Sequence, residues 1–203
     1  MIRNIIFDWS GTLNDNVKAF YEAASIVFNK LGRKMISFEE TKREFTLPYM
    51  VFWNKYFPDL TLEEEQKLYY EAIHQVPDAE IYDGVKEFLI KMKALGINLL
   101  VLSSDPNSKL LPEVEKAGLK DVFLEVIGEI HEKDGVITHL IEKYNFDPNE
   151  TIYVGDTYGD ITAGKGAGVV SVGITWGFQL EEKIREANPD FIISNIFEIE
   201  KLL

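Results

Sequence analysis

The segment that most constrains the fold of this chain is a short apolar run at 5–7 that ends directly in a carboxylate, Asp8. The run is too short and too apolar for a surface helix, so it predicts a buried strand at the centre of a sheet. Gly11, three residues further on, predicts a sharp turn. Asp8 is therefore expected at the carboxyl end of a central strand, where the crevices of open α/β sheets form.

Two further stretches place polar side chains next to predicted elements. A second buried strand, 98–102, is followed directly by the hydroxyls of Ser103 and Ser104. Lys133 lies in a polar stretch just ahead of a predicted helix at 134–144. A lone lysine is normally solvated, and serines often simply end a strand. Beside an aspartate, however, these groups offer hydrogen bonds and positive charge to a phosphate dianion.

A third apolar strand, 151–154, runs into a turn that carries two carboxylates, Asp156 and Asp160. Acidic residues here can simply favour a helix start. Because parallel strands end at the same edge of a sheet, Asp8 and Asp156 are expected to meet where a divalent cation binds. Oxygen-only ligation favours Mg²⁺. The sequence therefore predicts a combined magnesium and phosphate site, to which the turn amides after Asp8 also contribute.

The chain changes character between the first strand and the rest. Apolar residues from about 15 to 76 recur at helical spacing with no strand pattern, whereas helix and strand alternate from 83 onward. This predicts an α/β fold, a parallel sheet covered by helices, at 1–14 and 82–203, with an all-helical insert at 15–81. Ser37 and Thr61 are predicted N-caps. The other predicted elements are helices at 37–45, 49–56, 62–73, 85–95 and 161–167, and a strand at 169–172.

Composition limits the classes of partner. The 203 residues suit one sizeable core and a small accessory domain. Lys+Arg 21 against Asp+Glu 34 gives a net charge of −13, which disfavours nucleic acid and anionic membranes as partners. The absence of cysteine excludes thiol catalysis and disulfides. No apolar run approaches a membrane span and no signal-peptide pattern is present, so a cytoplasmic protein is expected.

In order and spacing, these motifs resemble the haloacid dehalogenase (HAD) superfamily of phosphotransferases over nearly the whole chain. The segments 172–178 and 190–193 resemble the closing segment of phosphoglycolate-phosphatase-like members. The resemblance implies a Rossmann-like core, a mobile helical cap, Mg²⁺, and hydrolysis of a small phosphorylated metabolite through an aspartyl-phosphate. By position, it implies catalytic roles for Asp8, Ser10 and Lys133. It implies that the phosphate is bound by Trp9, Ser103, Ser104 and Lys133. It implies that the metal is bound by Asp8, Asp156, Asp160 and the backbone carbonyl of Ser10.

Ser10 departs from the family pattern. The family carries a second aspartate at this position, which protonates the leaving oxygen and later activates water. A serine hydroxyl is a poor acid or base near neutral pH, and losing general acid–base catalysis lowers a rate by about 10²- to 10⁴-fold, or roughly 3–5 kcal/mol of barrier. The sequence therefore predicts reduced turnover and a preference for good leaving groups.

Three alternatives stay open. Ser10 is compatible with a low-activity or non-catalytic phosphate-binding regulatory protein. The stretch 7–12 also resembles phosphonoacetaldehyde hydrolases, but Tyr49 stands where the Schiff-base lysine of those enzymes is expected, so this alternative is weaker. Haloacid dehalogenation is weaker still, because it does not need the magnesium aspartates. The sequence predicts neither the individual substrate nor an oligomeric state.

Overall fold

A computed structural model of the chain describes residues 1–46, 48–130 and 132–203; Leu47 and His131 lie outside them. The strands in this part of the chain are β1 (Asn4–Phe7), β2 (Asn98–Leu102), β3 (Glu125–Ile127), β4 (Thr151–Gly155), β5 (Val170–Ile174) and β6 (Phe191–Ile193). They form a six-stranded sheet of the described residues in the order β3-β2-β1-β4-β5-β6. Every pairing is parallel within that part of the chain.

The sheet is buried on both faces. Ile5 and Phe7 of β1 pack into a large hydrophobic cluster, whereas Ile6 packs into a second cluster. Successive side chains of a strand point to opposite faces, so a continuous apolar run is what a strand between two layers needs. The helices that cover the sheet are α5 (Val85–Ala94), α6 (Asn107–Lys116), α7 (Lys133–Tyr144), α8 (Tyr158–Gly166) and α9 (Glu181–Glu186), with short 3₁₀ segments at Pro148–Glu150 and Ile196–Leu202. The predicted fold class, a parallel sheet covered by helices, is confirmed.

Within the described residues, four helices lie between β1 and α5, and we call residues 15–81 the helical insert. They are α1 (Asn16–Lys30), α2 (Phe38–Glu44), α3 (Met50–Tyr56) and α4 (Leu62–Ile73). The insert has a hydrophobic cluster of its own, with Phe28, Phe52 and Trp53 buried at its centre. Its aromatic residues therefore serve mainly to hold the insert together. None of the helices in the described ranges has the length and hydropathy needed to cross a bilayer.

Both predicted N-caps of the insert form. The Ser37 side chain accepts a hydrogen bond from the Glu40 backbone N–H at 3.1 Å. Thr61 and Glu64 form a reciprocal capping box. These bonds satisfy backbone N–H groups that the first turn of a helix leaves unpaired.

The two chain segments that connect the insert to the core run side by side. The Asp15 N–H donates to the Glu80 carbonyl at 2.8 Å, and the Tyr82 N–H donates to the Leu13 carbonyl at 3.0 Å. Asn14 and Ile81 also form an antiparallel bridge. The insert is thus joined to the core by two hydrogen-bonded segments, which we call the paired crossing. The first of these segments comes directly after the turn that follows Asp8.

Candidate active site

The polar residues singled out by the sequence converge because of the strand register. Phe7, the last residue of β1, pairs with Val101 of β2 and Val154 of β4, the next-to-last residue of each neighbouring strand. Asp8 follows β1, Ser103 follows β2 and Asp156 follows β4. The predicted meeting of these strand ends at one edge of the sheet is therefore what the structure contains.

Lys133 connects two of the carboxylates. Its Nζ lies 2.6 Å from Asp8 Oδ1 and 2.7 Å from Asp160 Oδ1. The lysine side chain is 13% exposed. Burial acts to lower the pKa of Lys133, but the charges of Asp160 and Asp8 outweigh it and raise that pKa well above its usual value. Lys133 is thus a fixed positive charge at the base of the site.

Asp8 and Asp156 are buried carboxyls for which burial outweighs the groups that stabilise their charged forms. Burial raises the pKa of Asp8 to about 7, opposed by Lys133 and reinforced by the charges of Asp160 and Asp105. Burial also raises the pKa of Asp156 well above its usual value, and the charges of Asp8 and Asp160 add to the effect. Crowded carboxylates that resist ionisation indicate a place where a cation is expected.

A divalent cation fits this group. Asp8, Asp156 and Asp160 each offer a carboxylate oxygen, and these oxygens lie within 4.8 Å of one another. The donors are all oxygen, which suits Mg²⁺ better than the softer transition metals. The chemistry of the side chains therefore agrees with the predicted cofactor.

Asp156 is held by a tight cradle of backbone. The Phe178 N–H donates to Asp156 Oδ2 at 2.6 Å, and Thr12 Oγ1 donates to Oδ1 at 3.2 Å. Gly11, at φ +82°, and Gly177 approach so closely that a Cβ would lie 2.5 Å and 2.2 Å from Asp156 atoms. Glycine is required at both positions because any side chain would displace the carboxylate.

Asp160 is bonded through both of its oxygens. Oδ2 accepts from the Thr157 N–H at 3.1 Å and from Thr157 Oγ1 at 2.6 Å, in a capping box that starts α8. Oδ1 accepts from the Tyr153 hydroxyl at 3.1 Å as well as from Lys133. Burial favours a higher pKa for Asp160, but Lys133 and these hydrogen bonds hold it below its usual value. The capping box also explains why α8 begins at Tyr158, earlier than predicted.

Ser10 contacts a carboxylate that sequence reasoning missed. Its Oγ donates to Asp105 Oδ2, and Ser103 Oγ donates to the same oxygen at 3.0 Å. Lys109 Nζ lies 2.6 Å from Asp105 Oδ1. Burial opposes ionisation of Asp105, but Lys109 and the serine hydroxyls outweigh it and keep its pKa below the usual value. The one available signal was that Asp105 follows Ser103 in the loop after β2.

The remaining predicted site residues lie apart from these contacts. The Trp9 side chain is fully buried, and its indole N–H donates to Glu113 Oε2 at 2.8 Å. Trp9 can therefore face a ligand only through its backbone. Ser104 is exposed. Asp8, Lys133, Asp156 and Asp160 therefore form one group of charged side chains. Ser10 and Ser103 are linked to each other because both donate to Asp105.

Comparison with known proteins places this site in a family context. A family model described as haloacid dehalogenase-like hydrolase matches residues 5–174. The phosphoglycolate phosphatase of Vibrio parahaemolyticus is 29% identical over 219 residues, covering 98% of this chain and 94% of that protein.

Solved structures share the fold. A haloacid dehalogenase-like family hydrolase from Streptococcus pneumoniae has a TM-score of 0.82 and 22% identity, covering 99% of this chain and 98% of that one. A predicted phosphoglycolate phosphatase from Haemophilus somnus has a TM-score of 0.79 and 23% identity, covering 99% and 97%. At these identities the likeness concerns the fold alone.

Proposed function

The chain belongs to the haloacid dehalogenase-like hydrolases, and from this premise we propose that it is a magnesium-dependent phosphohydrolase that acts on a small phosphorylated metabolite through an aspartyl-phosphate on Asp8. The family match and the phosphatase relatives confirm the predicted HAD resemblance and the phosphatase class. The observation that carries the finer proposal is the buried contact of Asp8 with Lys133, beside the carboxylate of Asp156.

The proposed chemistry needs a carboxylate that attacks phosphorus and groups that neutralise the phosphoryl oxygens. Asp8 supplies the nucleophilic oxygen at the strand end. Lys133 keeps Asp8 oriented and presents a positive charge to the incoming dianion. Ser103, at the end of the neighbouring strand β2, is proposed to donate its hydroxyl to the same phosphate in exchange for its bond to Asp105.

Asp8, Asp156 and the Ser10 backbone carbonyl are the proposed metal ligands. Bound Mg²⁺ would supply Lewis-acid stabilisation of charge on the transferring phosphoryl group. Asp160, the third predicted ligand, offers an oxygen in the same group of carboxylates and also accepts from Lys133. We therefore propose that Asp160 both holds Lys133 and contributes to the metal site.

The helical insert is the proposed cap, hinged at the paired crossing near Asn14 and Ile81. The ring of Phe45, which follows α2, stacks on the ring of Phe178 with 4.6 Å between the ring centroids. The ring of Phe20 meets Phe178 edge-on, with 5.7 Å between the centroids. Since the Phe178 N–H binds Asp156, the cap contacts the segment that holds the proposed metal ligand.

A cytoplasmic location remains a prediction of the sequence.

Leaving-group dependence tests the proposed function. We expect Mg²⁺-dependent hydrolysis of acetyl phosphate and p-nitrophenyl phosphate with kcat/KM at least about 10²-fold above that of 2-phosphoglycolate, because Ser10 provides little protonation of an alkyl leaving group. Steady-state phosphate release on all three substrates measures this. Equal rates would mean that another group supplies the acid. Metal binding without hydrolysis of any of them would instead favour the non-catalytic regulatory alternative.

Replacing Asp156 tests the metal assignment. Asp156→Asn should weaken Mg²⁺ binding by at least about tenfold while preserving the fold, since the amide oxygen can accept from the Phe178 N–H and the amide NH2 can donate to Thr12 Oγ1, but the charge is lost. Calorimetric titration of Mg²⁺ without substrate measures this effect. Asp121→Asn, on the exposed surface of the core, is the matched control and should titrate like the parent protein. Equal Mg²⁺ affinity in the Asp156 variant would contradict the assignment.

A further inference from the structure

Ser10 stands where the family carries a second carboxylate, yet its hydroxyl touches a carboxylate supplied from a different strand end. We propose that Asp105, on the loop after β2, acts through Ser10 as the proton acceptor when the aspartyl-phosphate is hydrolysed. This inference rests on the proposed phosphatase function and deepens it. Asp105 would be a positioning and proton-accepting residue, while Ser10 would be the group that faces the reacting water.

The contacts of Asp105 define its role. Oδ2 accepts hydrogen bonds from Ser10 Oγ and from Ser103 Oγ at 3.0 Å, and Oδ1 accepts from Lys109 Nζ at 2.6 Å. The Asp105 side chain is 15% exposed. Because donors contact both oxygens, the resting Asp105 is a carboxylate with no proton to give, and the Ser10 hydroxyl is the contact through which a proton can reach it.

Ser10 is fixed in the same network. The side-chain amide of Asn16, at the start of α1, lies 2.8 Å from Ser10 Oγ. Ser10 lies two residues after the nucleophile on the turn that follows β1. Ser103, which also donates to Asp105, follows β2, the strand that pairs with β1. The Ser10–Asp105 pair therefore lies at the strand ends that carry Asp8.

A water oxygen attacks phosphorus, and the bond between phosphorus and the Asp8 oxygen breaks, which returns Asp8 as a carboxylate. The water gives one proton to Ser10 Oγ as the Ser10 hydroxyl proton passes to Asp105 Oδ2. The products are hydrogen phosphate and a neutral Asp105, which then releases its proton to solvent. Serine relays the proton without itself being a strong base.

This arrangement serves one half of the reaction. Hydrolysis of the phosphoenzyme requires a base, which Asp105 supplies. Formation of the phosphoenzyme from an alkyl phosphate requires an acid, and the resting Asp105 carboxylate lacks a proton to donate. The Ser10–Asp105 pair therefore leaves the expected preference for acyl and aryl phosphates intact.

An experiment with p-nitrophenyl phosphate and Mg²⁺ measures formation and hydrolysis of the phosphoenzyme separately. In Asp105→Asn, nitrophenol should be released in a burst of about one equivalent per enzyme, followed by a slow steady state. The rate of phosphoenzyme hydrolysis, followed by rapid quench, should fall by about 10²- to 10⁴-fold, while the burst rate stays within a few-fold of the parent. Asp121→Asn removes one negative charge from the exposed surface of the α/β domain. It is the control and should match the parent in both steps.

Rescue distinguishes proton acceptance from a structural role. The double variant Ser10→Asp, Asp105→Asn places a carboxylate directly at position 10 and should regain fast phosphoenzyme hydrolysis. Ser10→Ala leaves Asp105 in place but removes the relay, so it should show the same slow second step. A merely structural Asp105 would slow both steps together and would not be rescued.

Two results would overturn the inference: phosphoenzyme hydrolysis at the parental rate in either Asp105→Asn or Ser10→Ala, or equal loss of both steps without rescue. If Asp105→Asn fails to fold, Ser10→Ala alone decides between these results. A parent protein that forms no phosphoenzyme and releases no nitrophenol would overturn the proposed function itself, which the parental measurement identifies before any variant is made.

Discussion

Asp8→Asn is expected to abolish Mg²⁺-dependent phosphate release, with a loss on the order of 10⁴-fold or more, while leaving the fold intact. Asparagine is nearly the same shape as aspartate and can still accept the Lys133 hydrogen bond, but it offers no anionic oxygen to attack phosphorus. Phosphate release from p-nitrophenyl phosphate measures the effect.

The same substitution should also change how stability depends on pH. The pKa of Asp8 is raised from 3.8 to about 7 in the folded, metal-free protein, chiefly by burial. The folded state therefore holds a proton that the unfolded state has released, so Asp8 makes stability fall as pH rises from about 4 to about 7. Asp8→Asn removes this decline. Denaturation in chelator across that pH range measures it, and a variant with large residual activity or an unchanged pH slope would contradict these assignments.

Lys133→Met is expected to have the largest effect on stability. Removing the lysine leaves Asp8 and Asp160 buried without their shared cation, and breaking a buried pair in this way typically costs about 3–5 kcal/mol. Activity should be lost as well, because the phosphoryl oxygens lose their fixed positive charge. Denaturant unfolding of the metal-free protein and steady-state hydrolysis measure the two effects.

Lys143→Met provides the matched control on the same helix. Lys143 Nζ lies 2.8 Å from Glu125 Oε2, but the lysine side chain is 42% exposed. Removing an exposed pair typically changes the free energy of unfolding by about 0–1 kcal/mol. If the two lysine variants were equally stable in the absence of metal, the buried charge network would be misassigned. Saturating Mg²⁺ should narrow the gap between the two variants, since the cation would offset the uncompensated carboxylates.

The parts of the fold that sequence predicted are those with a strong local pattern. The apolar runs that become β1 and β2 are fully buried strand cores, and the helix predicted at 62–73 has the bounds of α4. α6 is absent from the predicted elements, and it contains Pro112, a residue that usually marks a helix boundary. Local patterning therefore predicted the central strands and failed where a covering helix contains proline.

The site was predicted to the extent that it depends on strand ends. Asp8 and Asp156 follow central strands, so topology alone brings them together. Asp105 was missed because its meaning depends on a contact with Ser10 across 95 residues of chain, which no local pattern contains. The direction of the Trp9 side chain, into the core and onto Glu113, is likewise a property of the packed turn.

The measurement that tests the central claim most directly is the identification of a phosphorylated residue. The protein is mixed with p-nitrophenyl phosphate and Mg²⁺, quenched in acid within the first turnover, digested, and mapped by mass spectrometry. We predict that one phosphoryl group is found on the peptide that contains Asp8, that hydroxylamine removes it as expected of an acyl phosphate, and that Asp8→Asn lacks it. A label on another residue, or hydrolysis of the substrate with no acyl-phosphate on Asp8 at any quench time, would contradict the covalent mechanism.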